Sequence, residues 1–435
     1  MAKYAHILLL LIFMTTATTF AQSDHDKYNY DESKVPAYTL PEPLILNDGR
    51  KVQDAQTWRE VRRPEILDLF AEHVYGKVPK GKVKVDYEVT ASYPDALEGA
   101  ATLKEVKVTF SNKNGSHDMS LLMFIPNKAV QPAPAFLGLN FYGNHTIHPD
   151  PRISISKSWV NNNEGFDIEG NQADEASRGV RVHRWPVERI IDRGYALVSI
   201  YYGDIDPDYD DGFQNGVHPL FYQAGQNQPA DEEWGSIAAW AWGLSRALDY
   251  LETDEAIAAD QVAVIGHSRL GKASLWAGAT DERFAITISN ESGCGGAALS
   301  RRRFGETVAR INTAFPHWFN EKFNQYNENE EALPIDQHML ISLMAPRPVY
   351  VASAAGDLWA DPRGEFLGAK HAEEVYKLFG KSGLPVEEMP VVNRPVMGTI
   401  GYHIRTEAHD LKAYDWEQYL DFADMHLQRP TEAGK

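Results

Sequence analysis

Val262-Ala263-Val264-Ile265-Gly266-His267-Ser268-Arg269-Leu270-Gly271-Lys272 is the stretch on which the fold turns. Its first five residues form an apolar strand, and residues 270–278 carry a short helix, so Ser268 stands at a strand–turn–helix junction. A tight elbow in that setting exposes the serine hydroxyl and aims the next backbone N–H at a developing oxyanion. The helix N-terminus adds partial positive charge. The motif departs from G-x-S-x-G, because its second glycine is Gly271, one position late, and Leu270 holds the usual place. By itself such a serine could equally be a helix cap. The rest of the chain decides between the two.

Outward from the elbow, strands alternate with helices. Apolar strands are expected over 135–141, 196–202, 262–266, 284–289, 349–353 and 398–404, with helices over 234–251, 270–278 and 416–426 between or after them. Such alternation implies a mostly parallel sheet covered on both faces, the α/β-hydrolase arrangement. Residues 105–110 and 120–125 alternate around the turn chemistry of 112–116 and predict a hairpin. Arg63-Pro64 places proline at the start of a helix that carries Ile66, Leu67, Phe70 and Val74. The segments 144–181, 203–233 and 305–337 are long, polar and aromatic, and are expected to be insertions around one sheet. The expected organisation is a signal peptide over 1–21, a flexible leader over 22–38 and a single catalytic domain over 39–435.

A nucleophilic serine needs a base, and the base needs a carboxylate to orient it. His409 follows the last expected strand and precedes the final helix, which is the right chain position. His403 lies inside that strand as a packed side chain, and His267 belongs to the packing of the elbow. Asp357 follows the strand 349–353 and Glu291 ends the strand before it. Adjacent parallel strands deliver both to one edge of the sheet, so both remain candidates, with chain order favouring Asp357. Arg269, beside the nucleophile, is either an oxyanion cation or a surface arginine paired with one of the many acids.

Lys3, the apolar run 7–13 and the small residues up to Ala21 read as a signal peptide cleaved near Ala21, which implies a secreted or periplasmic protein. A formal charge of −19 excludes nucleic acid and anionic membranes as natural partners. Cys294 is the only cysteine, so neither an intramolecular disulfide nor a thiolate metal site is available. The run Asp204-Ile205-Asp206-Pro207-Asp208-Tyr209-Asp210-Asp211-Gly212 fails the spacing of a calcium loop and is expected to be a solvated acidic loop. No metal or cofactor is expected, and oligomeric state is unreadable from the sequence.

Gly266-His267-Ser268-Arg269-Leu270-Gly271-Lys272, Asn290-Glu291-Ser292-Gly293-Cys294-Gly295-Gly296, Gly356-Asp357-Leu358-Trp359-Ala360-Asp361-Pro362 and His409-Asp410 together resemble the bacterial glucuronoyl esterases. Arg62-Arg63-Pro64-Glu65-Ile66-Leu67 and Gly203-Asp204-Ile205-Asp206-Pro207-Asp208 extend the resemblance over nearly all of the chain beyond the signal. It implies an α/β-hydrolase fold without metal, cleaving esters between glucuronic acid carboxyls on xylan and lignin alcohols. It makes Ser268 the nucleophile, His409 the base and Arg269 the oxyanion stabiliser. Glu291 and Asp357 share the acid role, with Glu291 slightly ahead by the resemblance. Lys272, Trp359 and Glu306 correspond to residues that hold the glucuronate ring. A pyranose suits these residue types, since Lys272 and Glu306 can meet its hydroxyls and Trp359 its apolar face. The alternatives are a solvated Lys272, a core Trp359, and a Glu306 paired with Arg302 or Arg303. Competing functions are an acetyl esterase or general carboxylesterase acting on sugars, and a carbohydrate-binding protein on a hydrolase scaffold.

Overall fold

The structure, a computed structural model, describes residues 27–129 and 132–427. The signal peptide expected over 1–21 lies outside the described residues. Ten strands form one sheet: β1 (Lys84–Asp95), β2 (Ala101–Asn112), β3 (Gly115–Pro126), β4 (Ala133–Asn140), β5 (Ala196–Tyr201), β6 (Ile257–His267), β7 (Ile286–Asn290), β8 (Val349–Ala354), β9 (Val396–Met397) and β10 (Ile400–Arg405). Their order is β1-β2-β3-β5-β4-β6-β7-β8-β10-β9. The stretch from β5 to β10 is parallel, while β1, β2 and β3 form an antiparallel extension on one side. The β2–β3 hairpin is the expected one, with Lys107 opposite Ser120 and Asn112 opposite Gly115.

Six helices matter for the layers: α1 (Arg63–Phe70), α2 (Val187–Asp192), α3 (Ser236–Leu251), α4 (Arg269–Thr280), α5 (Pro362–Leu378) and α6 (Ala413–His426). Successive residues of β6 point to opposite faces, so Val262 and Val264 enter one core and Ala263 and Ile265 the other. The first core holds Phe70 of α1, Trp240 of α3, Leu275 of α4 and Tyr376 of α5. The second holds Ile190 of α2 together with Trp416, Tyr419 and Phe422 of α6. Both faces of the parallel strands are thereby buried, as their unbroken apolar sequences require.

Pro64 stands in the first turn of α1, as expected, with a π-helical turn over Trp58–Arg62 leading into the helix and another over Ala71–Tyr75 following it. Wide turns of this kind accommodate a residue that lacks a backbone N–H. One expectation is corrected. The leader expected to be flexible is packed from residue 27 onward. The Gly305 N–H donates to Asn29 O at 2.8 Å, Glu32 pairs with Arg302 at 2.6 Å, and the Tyr28 ring meets Trp359 edge-on at 5.0 Å.

Candidate active site

The ends of β6, β7, β8 and β10 lie side by side and carry Ser268, Glu291, Asp357 and His409 into one region. Ser268 has φ +59° and ψ −130°, a conformation strained for any residue with a Cβ. The turn closes so tightly that a Cβ on Gly266 would lie 1.9 Å from Leu270 O. The glycine two residues before the serine is therefore indispensable, while the position two after it tolerates Leu270. The Ser268 N–H is held by Asn290 O at 2.8 Å, which ties the elbow to the end of β7.

His409 lies directly beside the elbow, its ring 4.5 Å from that of His267. Its Nδ1 is 2.6 Å from Asp357 Oδ2 and 3.2 Å from Glu291 Oε2. Burial disfavours the imidazolium, yet the hydrogen bonds to Asp357 and Glu291 outweigh it and push His409 up to about 9. The two acids are held differently. Glu291 accepts from Arg405 Nη2 at 2.5 Å and from the Asp410 N–H at 3.0 Å, so both its oxygens already have donors. Burial still pushes its carboxyl up to about 7, against the pull of His409 and Arg405.

Arg405 was not singled out from sequence, and it organises this end of the site. Its Nε donates to Asp415, Nη1 to Thr406 O at 2.8 Å and Ala408 O at 3.0 Å, and Nη2 to Asp410 O at 2.5 Å as well as to Glu291. Every guanidinium donor is engaged, and the backbone around His409 is stapled to β7 and α6. His403 is buried with Nε2 2.8 Å from Asp415, and His267 is buried with Nδ1 2.6 Å from Asn290 Oδ1.

On the other side of Ser268, Arg269 lies over Trp318 at 4.7 Å and is bonded to Asp208. Asp208 also accepts from Trp318 Nε1 at 2.8 Å, His317 Nε2 at 3.0 Å and the Tyr202 hydroxyl at 2.9 Å. Burial would raise its pKa, but Arg269, His317 and Trp318 hold it well below the usual carboxylate range. The acidic run is thus not a solvated loop: Asp204, Asp206 and Asp208 are buried, and Asp208 is the counter-charge of Arg269. The Arg269 Nε is buried without a hydrogen-bond partner. A buried N–H left unpaired is costly and stands ready for an acceptor.

Lys272 is only 3% exposed and gives one of its protons to Ser292 O at 2.7 Å. Burial lowers its pKa, partly offset by Glu306. Glu306 is not paired with Arg302 or Arg303, whose partners are Asp361 and Glu32, and Glu330 and Glu331. Its backbone N–H donates to Trp359 O at 3.0 Å. Trp359 is half-exposed, not core.

Among the described residues, ligand atoms of His267, Glu291 and His409 lie within 4.8 Å of one another, a spacing a metal ion could use. His409 Nδ1, His267 Nδ1 and both Glu291 oxygens are already engaged in hydrogen bonds, which suits proton transfer better than metal ligation. No helix among the described residues is long and apolar enough to cross a membrane.

An elbow serine and a carboxylate-held histidine at the C-terminal edge of a largely parallel sheet mark a carboxylic ester hydrolase of α/β-hydrolase fold. The family model for fungal glucuronyl esterase matches residues 188–380. Carbohydrate esterase MZ0003, from an unknown prokaryotic organism, is 52% identical over 97% of this chain and 99% of its own. A 4-O-methyl-glucuronoyl methylesterase of Neurospora crassa is 36% identical over 79% of this chain and 73% of its own. Among solved structures, a promiscuous CE15 esterase from a marine bacterial metagenome superposes with TM-score 0.87 at 54% identity, covering 92% of this chain and all (100%) of that one. The glucuronoyl esterase of Solibacter usitatus gives 0.86 at 49% identity, over 91% of this chain and 100% of its own. The chain belongs to the glucuronoyl esterase family, carbohydrate esterase family 15.

Proposed function

We propose that this chain is an exported serine esterase that hydrolyses esters of glucuronic acid or 4-O-methyl-glucuronic acid, as in lignin–carbohydrate linkages of glucuronoxylan. The observation that carries this reading is the buried Lys272, one helical turn from Ser268. It lies over the Trp318 ring at 5.6 Å and feels the charge of Glu306, whose backbone N–H is bonded to Trp359 O. A buried ammonium with donors left over, a carboxylate and a half-exposed indole suit a hydroxylated ring whose carboxyl carbon reaches the elbow.

In the proposed cycle, His409 takes the Ser268 proton as Oγ attacks the ester carbonyl. The negative charge on the carbonyl oxygen is met by the Arg269 backbone N–H and its unpaired Nε–H. Collapse of the tetrahedral adduct expels the alcohol, which receives the proton from His409. Water, deprotonated by His409, then attacks the acyl-enzyme, and Ser268 leaves with that proton. Asp357 accepts a hydrogen bond from Nδ1–H throughout and stays ionised, while Glu291 holds the loop and adds negative charge.

Benzyl glucuronate is the direct test: turnover by the intact protein and its loss in Ser268→Ala are expected. Preference for an acetylated sugar over benzyl glucuronate would instead support an acetyl esterase. Absence of labelling by a fluorophosphonate probe would support a binding protein.

A further inference from the structure

The residue before the nucleophile takes no part in the proposed cycle, yet it touches the base. His267 ends β6 and is buried, and its ring packs against that of His409 with centroids 4.5 Å apart and planes tilted by 37°. Phe141 meets the His267 ring edge-on at 6.2 Å. Asn290 lies opposite His267 in the β6–β7 ladder and holds it at Nδ1, 2.6 Å from Asn290 Oδ1. That amide is oriented from its other end, since Asn290 Nδ2 donates to the Tyr419 hydroxyl at 2.8 Å. An oxygen therefore faces Nδ1, so Nδ1 carries the proton and His267 is held in one neutral tautomer. Burial, then the neighbouring His409 and Arg184, hold its pKa well below the ordinary histidine range. It stays neutral while His409 gains and loses a proton. The same asparagine takes the Ser268 N–H on its backbone oxygen at 2.8 Å. One residue thus anchors both the nucleophile's backbone and the ring that lies against His409.

We infer that His267 is a positioning residue for the base: its flat, neutral ring is the platform that keeps His409 turned toward Ser268. This rests on the reading of Ser268 and His409 as nucleophile and base. The acids grip His409 along one edge only, at Nδ1, 2.6 Å from Asp357 and 3.2 Å from Glu291. A ring held along one edge is still free to swing about it. The His409 side chain is 39% exposed, and water does not stop such a swing. The His267 ring closes one side of it. His267 is joined to Ser268 by a peptide bond, in an elbow too tight for a Cβ at Gly266, so platform and nucleophile keep a fixed relation. The approach of the imidazole to Oγ is then set from the nucleophile's own strand as well as by the loop that carries His409. A cationic side chain here would repel the imidazolium that forms on proton transfer, and a branched one has no flat face to offer.

Two substitutions separate the ring from its hydrogen bond. His267→Gln keeps a donor for Asn290 and has no flat ring; His267→Phe keeps the ring and gives up the donor. With benzyl glucuronate, and kcat counted per folded protein, His267→Gln should lower kcat by about 10²-fold, the scale of a misplacement near 1 Å, with KM changed less than about twofold. His267→Phe should keep kcat within about fivefold of the parent. The opposite order overturns the inference, since His267 would then serve only to tie the elbow to Asn290. So does a loss carried by KM instead of kcat. Parental kcat in His267→Gln overturns it as well, and decides the matter alone if the larger phenylalanine ring prevents folding. A catalysis-free arm follows the proton between His409 Nδ1 and Asp357, a far-downfield line in the proton NMR spectrum identified by its absence from His409→Ala. The line should persist in His267→Phe and broaden away in His267→Gln, because a swinging ring admits water to that proton. An unchanged line in His267→Gln counts against the platform. Broadening there, with no ester turnover by the parent, would sink the esterase reading and keep the platform; turnover with parental line and kcat in His267→Gln would sink the platform alone.

Discussion

Two arginines flank the elbow, and they are built in opposite ways. At the base end, Arg405 has all its donors engaged by Asp415, Glu291 and three backbone carbonyls of the His409 loop. On the other side, Arg269 is held by one carboxylate, stacked on Trp318, and keeps a buried Nε–H unpaired. A fully satisfied guanidinium gains nothing when substrate arrives, so its work is to fix geometry. One with an unpaired buried donor has a hydrogen bond to gain, and in the proposed cycle it gains it as charge develops on the carbonyl oxygen.

The contrast can be broken experimentally, and the effects should fall in a definite order. His409→Ala removes what the base end exists to position, and kcat should fall by about 10⁴-fold or more, read with benzyl glucuronate. Arg405→Met leaves Glu291 and Asp415 buried without their cation. A loss of about 3–5 kcal/mol in urea unfolding is expected, with activity following the folded fraction. If Arg405→Met melts normally but is inactive, the division between the two ends is wrong. Arg269→Met should do the reverse, lowering kcat by about 10²–10³ while Tm stays close to that of the parent. Asp208→Asn keeps the shape but loosens the guanidinium, so kcat should drop about tenfold, near 1.4 kcal/mol of barrier, with KM little changed.

The smallest effect concerns pH. A protonated His409 cannot take the Ser268 proton, so activity falls as pH drops through its pKa, which the two carboxylates hold up at about 9. Glu291→Gln removes one of those negative charges, lowers that pKa, and should move the acid limb of the kcat/KM profile to lower pH. A limb that stays put, or moves up, would mean that Glu291 does not act on His409 electrostatically.

Much of this architecture is legible in the sequence because the parallel strands are buried on both faces and read as short apolar runs between amphipathic helices. Chain order alone then places Ser268, Glu291, Asp357 and His409 at strand ends. β1 is legible in a different way: Val85, Tyr87 and Val89 alternate with Lys84, Asp86 and Glu88, and as an edge strand it keeps most of these residues exposed, so it lacks the unbroken apolar run of the parallel strands. A different limit hides Asp208 and Arg405. An acid in an acidic run looks solvated until its partner is known, and Arg269 lies 61 residues away along the chain. Arg405 ends a buried strand, and its carboxylate Glu291 is 114 residues distant. Periodicity reports which face a residue occupies; it does not report which charge meets which. The leader is opaque for a related reason, since residues 27–34 are polar and gain order only from contacts with Gly305, Arg302 and Trp359.

Cys294 sits three residues beyond Glu291, buried and unpaired, with its thiol pushed far up by burial. Because thiolate is the reactive form, an alkylating reagent can reach this sulfur only when the turn after β7 opens. The rate of alkylation in native buffer is therefore a clock for local opening at a segment that joins Glu291, the elbow and Lys272. It needs no engineered label, and the same chain can be made under reducing conditions because no disulfide within it awaits formation.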